Sequence, residues 1–173
     1  MYSRPLIHAP QSIVHNGKIN FGSFFGVPET IDIRGVKAPF AGIPTSSFFS
    51  NFRIKSRLAF VFSVDNYIGL AEFFDDKLFG LAEVIFWDRE TGKKIAYHTF
   101  MGPSRRFVPI STKEAVCTSY APRYIKISWS RRHNKISLSF VVRGDKFRPA
   151  AKANYVARLS NDGSAEMLSV SPS

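Results

Sequence analysis

Between residues 51 and 143, apolar and polar residues alternate in short runs broken by turn formers, a pattern of strands rather than helices. The cleanest case is 124–130, where Ile125, Ile127 and Trp129 alternate with Lys126, Ser128 and Ser130. In 135–143, Ile136, Leu138, Phe140 and Val142 alternate with Ser137 and Ser139. A period of two places one face in a core and the other in water. Ile127, Trp129, Leu138 and Phe140 are therefore expected to point inward together. Arg131-Arg132-His133-Asn134 is the connecting turn, and Asn134 tolerates positive φ. Upstream, strands are expected over 58–63, 67–74, 78–87 and 93–101. They are separated by Asp65-Asn66, Asp75-Asp76-Lys77 and Asp88-Arg89-Glu90-Thr91-Gly92. Gly92 suits a left-handed position closing a hairpin loop. A last strand is expected at 154–159, followed by a polar tail with a turn at Asn161-Asp162-Gly163. No stretch holds a 3.6-residue apolar period.

Strands 67–74 and 78–87 are apolar on both faces. Tyr67, Gly69, Ala71 and Phe73 share one side; Ile68, Leu70, Glu72 and Phe74 share the other. Such strands are central or covered. The fold class is all-β, an antiparallel up-and-down meander with little helix, closing as a barrel or packing as a sandwich. Residues 1–50 read differently. Prolines at 5, 10, 28, 39 and 44 and glycines at 17, 22, 26, 35 and 42 leave no room for a helix of normal length. Phenylalanines at 21, 24, 25, 40, 48 and 49 give this stretch apolar anchors. It is expected to be an extended N-terminal wrapping segment, with a short extended piece at 31–34, packed on a β-domain of 51–173.

Composition agrees with one β-rich globular domain. Of 173 residues, 45% are apolar and 17 are Phe, which favours pleated, half-buried surfaces. No apolar run reaches the roughly 20 residues a spanning helix needs. The opening Met1–Pro5 lacks the apolar stretch of a secretory signal. A single cysteine, Cys117, excludes an internal disulfide framework. These features together give the expectation of a cytoplasmic protein. Net charge is +11, unevenly spread: residues 1–100 carry 11 basic against 9 acidic groups, and 101–173 carry 13 against 4. A basic half admits nucleic acid, an anionic surface or an acidic partner, or only a solvated face. Arg105, Arg106, Arg123, Lys126, Arg131, Arg132, Lys135, Arg143, Lys146 and Arg148 interleave with Phe107, Tyr124, Trp129, Phe140 and Phe147, as a single-strand groove would require. Trp129 and Phe140 alternate with polar residues, however, and so read as core.

No phosphate-cradling loop, dinucleotide fingerprint or nucleophile elbow is present. The histidines at 8, 15, 98 and 133 lack metal-ligand spacing. No cofactor or metal is therefore expected, and Cys117 reads as a buried, inert thiol. The candidates for chemistry are carboxylates inside apolar strands, Glu72 and Glu83, with His98 on the next strand. A carboxylate on an apolar face must be paired, or it becomes a proton donor with a raised pKa. Centring the turns at Asp76 and Glu90 sets Glu72 and Glu83 about three residues, or roughly 10 Å, out of step. It also sets His98 one residue from Glu83, on the opposite face. That arithmetic leaves Glu83 as the single catalytic candidate, beside Trp87. Glu72, Trp87, His98 and Phe74 remain as ligand-lining candidates.

Several stretches carry a resemblance: Asn16–Gly22, Asn51–Arg57, the Tyr67-Ile68-Gly69 step, and Phe79–Lys94 with its Thr91-Gly92 turn. Over about 13–142 they resemble an uncharacterised bacterial family, domain of unknown function 2804. That family is grouped with the calycins, the lipocalin-like barrels, and its members typically have two β-lobes. The resemblance implies a lipocalin-like barrel or half-barrel, the first lobe of such a protein. It also implies an apolar or amphipathic small-molecule ligand of the lipid or isoprenoid class. The uncovered side would then meet a missing second lobe or promote self-association. No catalytic residues come with the resemblance. The alternatives are an enzyme performing acid–base chemistry on such a ligand, and an RNA or anionic-surface binder using the basic C-terminal half.

Overall fold

Tight hairpins set the registers on which the rest of the molecule depends. The computed structural model describes residues 5–37, 43–52, 54–76, 78–103, 107–120, 123–159 and 167–170. The strands are β1 (Ile7–His8), β2 (Val14–His15), β3 (Lys18–Ile19), β4 (Gly22–Phe25), β5 (Ser56–Val64), β6 (Tyr67–Asp75), β7 (Gly80–Asp88), β8 (Lys94–Gly102), β9 (Glu114–Thr118), β10 (Arg123–Ser130), β11 (Lys135–Val142), β12 (Ala151–Ala157) and β13 (Met167–Val170). The one helix among the described residues, α1, covers Ser47–Phe52. Val64 pairs with Tyr67 across a two-residue loop in which Asp65 adopts a φ of 48°. Gly92 (φ 67°) closes the β7–β8 loop, and Asn134 (φ 47°) closes the β10–β11 turn, as the sequence leads one to expect. The Asp88 carboxylate accepts the backbone N–H groups of Glu90 (2.9 Å) and Thr91 (3.2 Å) and the Thr91 hydroxyl (2.8 Å). These bonds, the hydroxyl first, hold its carboxyl below the usual range.

Two antiparallel four-stranded sheets result, in the orders β5-β6-β7-β8 and β12-β11-β10-β9. Strands β6 and β7, apolar on both faces, are the central pair of the first sheet. Phe62, Ala71, Phe73, Ala82, Val84 and Tyr97 form one half of the core. Cys117, Ile125, Ile127, Leu138, Phe140 and Val142 of the second sheet form the other half. Rings meet across the gap: Phe62 lies 6.0 Å from Phe140 and 4.9 Å from Tyr155, and Phe86 lies 5.8 Å from Phe140. Gly69 makes room for this packing, because a Cβ there would sit 2.1 Å from the Phe62 ring. Ile127, Leu138 and Phe140 are buried, and Trp129 packs against the same cluster.

The meander does not close. Among the described residues no ladder joins the two sheets, so β5, β8, β9 and β12 are their edges and no closed barrel forms. Side chains, not a central ligand space, fill the middle of the sandwich. The sequence reading does not anticipate β9, β13 or the short β1–β4 within the N-terminal segment. Strand β9 is short and placed after Pro109, where Ala115 and Cys117 alternate with Val116 and Thr118. Strand β13 pairs with β4, which also pairs with β1. The last strand of the second sheet begins at Ala151 rather than 154, because small alanines, poor strand formers by propensity, pair opposite Phe140 and Val142. The piece at 31–34 is not a strand; only Thr30 makes a bridge, to Ser111. The turn expected at 161–163 lies outside the described residues.

Asp75 is not a turn residue. It ends β6 fully buried, and its carboxylate accepts the Phe107 backbone N–H at 3.2 Å, tying the first sheet to the crossover into β9. Cys117 gives its thiol proton to the Phe107 carbonyl at 3.0 Å. Burial, helped by the Asp75 charge, pushes that thiol up to about 12. The Tyr97 hydroxyl donates to the Pro149 carbonyl, fastening β8 to the loop before β12.

Candidate functional site

The residues singled out from the sequence all lie on the outer face of the first sheet. Glu72 pairs directly with Glu83, and Glu83 directly with His98. The expected offset between the carboxylates is therefore absent. The pairing of Asp75 with Gly80 shifts the β6–β7 register from one centred on Asp76, and the β7–β8 pairing sets His98 opposite Glu83 rather than one residue away, so all three side chains stand at one height. Arg57 lies on the edge strand and completes the row. Its Nη2 donates to Glu72 Oε2 at 2.5 Å, and the Glu72 side chain is only 8% exposed. His98 Nδ1 stands 2.8 Å from Oε2 of Glu83, whose side chain is 16% exposed. Like charges directly opposite one another are destabilising. The Arg57 guanidinium at one end of the row and the imidazole contact of Glu83 at the other offset that repulsion. The guanidinium is in turn held above its ordinary pKa by its hydrogen bond to Glu72.

Phe74 and Trp87 share this face at different heights. Phe74 is paired with Leu81, and Trp87 with Ile68 and Lys94, whose Nζ lies 5.7 Å from the indole centroid. Trp87 is four residues along β7 from Glu83, about 13 Å by strand rise, so the two are not neighbours. Around the row the face is apolar and partly open: Val61 is 68% and Phe100 70% exposed.

A second feature lies at the end of the sandwich. A cavity of about 590 Å³ opens between the start of β5, the crossover 108–112, the ends of β10 and β11, and the segment 27–34. Its apolar wall includes Ile31, Ile33, Ile54, Leu58, Ile110, Trp129, Ile136 and Met167. The segment 27–34 is bonded to the crossover. Ile31 N–H donates to the Ile110 carbonyl at 2.8 Å, and Thr112 N–H to the Glu29 carbonyl at 2.9 Å. Asp32 and Arg34 form a two-pronged ion pair in which Nε reaches Oδ1 at 2.7 Å and Oδ2 at 2.9 Å. That pairing holds the Asp32 carboxyl below its ordinary range and the Arg34 guanidinium above its own. Lys55, Arg57 and Arg131 also border the cavity.

None of Glu72, Phe74, Glu83, Trp87 or His98 borders this cavity. Sequence reasoning placed Trp129 and Ile136 on the apolar face of a hairpin and Leu58 on a strand, but missed that irregular segments at 27–34 and 108–112 close a cavity against them. The signals present were Ile31 and Ile33 flanking Asp32, with an opposite charge two residues on at Arg34. The basic residues of the C-terminal half are spread over several places. Lys126 belongs to the outer face of the second sheet, while Arg123 and Arg148 donate to the β8 carbonyls of His98 (2.5 Å) and Ala96 (2.9 Å). Arg105 and Arg106 lie outside the described residues. Phe140 is buried and Phe107 packs on Phe73, so neither ring is open to a base, whereas Phe147 is exposed. Among the described residues no group of three or more His, Cys, Asp or Glu is placed to hold a metal ion. Nor is any helix there long and apolar enough to cross a membrane. No protein-family model matches the chain, and no curated protein is similar to it.

Proposed function

We propose that this chain is a lipocalin-like lobe of the bacterial family domain of unknown function 2804. In this reading it works in the cytoplasm and binds an apolar or amphipathic small molecule of the lipid or isoprenoid class in the end cavity. The observation that carries the reading is the cavity itself: about 590 Å³, with an apolar wall and a few polar groups at its edge. Ligand pockets of this kind span roughly 300–1,000 Å³. Native mass spectrometry of protein purified from its host tests the reading. A retained small molecule is expected, and Ile136→Trp, which projects bulk beside Trp129, should release it while the circular dichroism stays that of a β-protein. Retention undiminished in that variant would count against the cavity.

A second reading, an enzyme acting on such a ligand, is favoured by the row Glu72–Glu83–His98. A carboxylate in hydrogen-bond contact with an imidazole, on a largely apolar face, has the parts for proton transfer. In this reading Glu83 exchanges a proton with the substrate and His98 positions it. A second lobe or a second copy laid on the open face would be needed to exclude water. The exposed Val61 and Phe100 support such covering. Sedimentation velocity checks it: Phe100→Asp should reduce any self-association of the chain.

A further inference from the structure

The cavity's edge carries a charge bias that its apolar wall does not need. Four cationic side chains border it, Arg34, Lys55, Arg57 and Arg131, against one carboxylate, Asp32. Arg34 is taken up by Asp32, and Arg57 by Glu72 on the outer face. Arg131 gives its Nε–H to the Thr112 carbonyl at 2.9 Å. Lys55 is different. It is exposed, it borders the cavity one residue before β5, and among the described residues it has no counter-ion. An ammonium group at the open side of an apolar pocket favours a ligand whose head is negative and whose tail is hydrocarbon. The tail removes apolar surface from water, and the head stays at the mouth where it remains hydrated.

Resting on the proposal that this cavity is the binding site, we infer that the ligand is a single-chain amphipathic anion whose carboxylate or phosphate head meets Lys55. A neutral isoprenoid would leave the ammonium unused. A cationic amphiphile would meet like charge, and rejecting it is part of the selectivity. The attraction is that of a partly solvated ion pair, so it weakens as salt rises.

The test compares four probes with one tail, decanoate, decyl phosphate, decanol and decylamine, by the fluorescence of Trp129 in the full chain carrying Trp87→Phe. Decanoate or decyl phosphate should bind about fivefold more tightly than decanol at low ionic strength, and whichever is preferred identifies the head. Lys55→Ala should remove that preference, read as the ratio of anion to decanol affinity within the same variant. Lys55→Glu should turn the preference toward decylamine. Decanol binding as tightly as both anions, or an anion preference that survives Lys55→Glu, overturns the inference and leaves the cavity reading standing. Failure of all four probes to perturb Trp129 overturns the cavity reading itself.

Discussion

The outer face of the first sheet and the cavity at the end of the sandwich divide the attributes of a site between them. The outer face has the reactive groups but no enclosure: Glu72, Glu83 and His98 stand in register on an open sheet face, each ion-paired or hydrogen-bonded, with Phe100 open to solvent. The cavity has enclosure and apolar surface but only one carboxylate, already held by Arg34. A buried or half-buried carboxylate is a conspicuous signal in a sequence, because its desolvation demands an explanation. Here ion pairing within the sheet supplies that explanation. A binding space closed by loops laid against strand ends leaves almost no signal.

The largest expected contrast is between two phenylalanines on opposite faces of one sheet. Phe73→Ala, fully buried between the sheets, should cost about 3–5 kcal/mol in urea unfolding. Phe100→Ala, at 70% exposure, should change stability by less than about 0.5 kcal/mol. A comparable loss at Phe100 would mean that the outer face is covered after all, and would strengthen the enzyme reading.

Cys117 reports on the inner face. With its thiol pushed up to about 12, the reactive thiolate is scarce at pH 8. Modification by a disulfide reagent should be more than about a hundredfold slower than in the urea-unfolded chain, where a thiol near 8.5 is restored. Equal rates would mean that the sheets part readily at this point.

The pH response should separate the segment over the cavity from the sheets. Asp32 is held below its ordinary carboxyl value, chiefly by the hydrogen bond from Arg34. A depressed folded-state pKa contributes stability that is present above the unfolded value of about 3.9 and is lost as pH falls through the folded value. Decanol, which does not titrate, should therefore bind progressively more weakly as pH falls below about 3.9 and through the depressed Asp32 value, compared with pH 6. In Asp32→Asn that difference should vanish. An unchanged pH dependence in the variant would show that the ion pair does not hold the cavity closed.

The smallest expected effect is at Glu83. Glu83→Gln should leave decanoate and decanol affinities within about twofold of the parent, because Glu83 is not part of the cavity wall. Loss of binding there would move the site to the outer face.

How far the sequence could be read follows from how each feature is encoded. The hairpin of β10 and β11 was legible because its apolar face is strictly periodic and Asn134 marks its turn. The central position of β6 and β7 was legible from their two apolar faces. The alignment of Glu72, Glu83 and His98 was not, since shifting a turn centre by one and a half residues changes which side chains stand opposite. Strand β9 was hidden by its brevity, and Asp75 by its place in an acidic run that reads as a turn. The gathering of Ile31, Ile110, Trp129 and Met167 into one wall depends on long-range packing that no local pattern records.

The chain's two tryptophans mark the two regions, Trp87 on the outer face and Trp129 in the cavity wall. The most direct measurement is a decanoate titration followed by fluorescence in two single-tryptophan variants. The variant retaining Trp129 (Trp87→Phe) should show a saturable change in emission, and the variant retaining Trp87 (Trp129→Phe) should stay flat. A saturable response from Trp87 with none from Trp129 would contradict the assignment of binding to the end cavity.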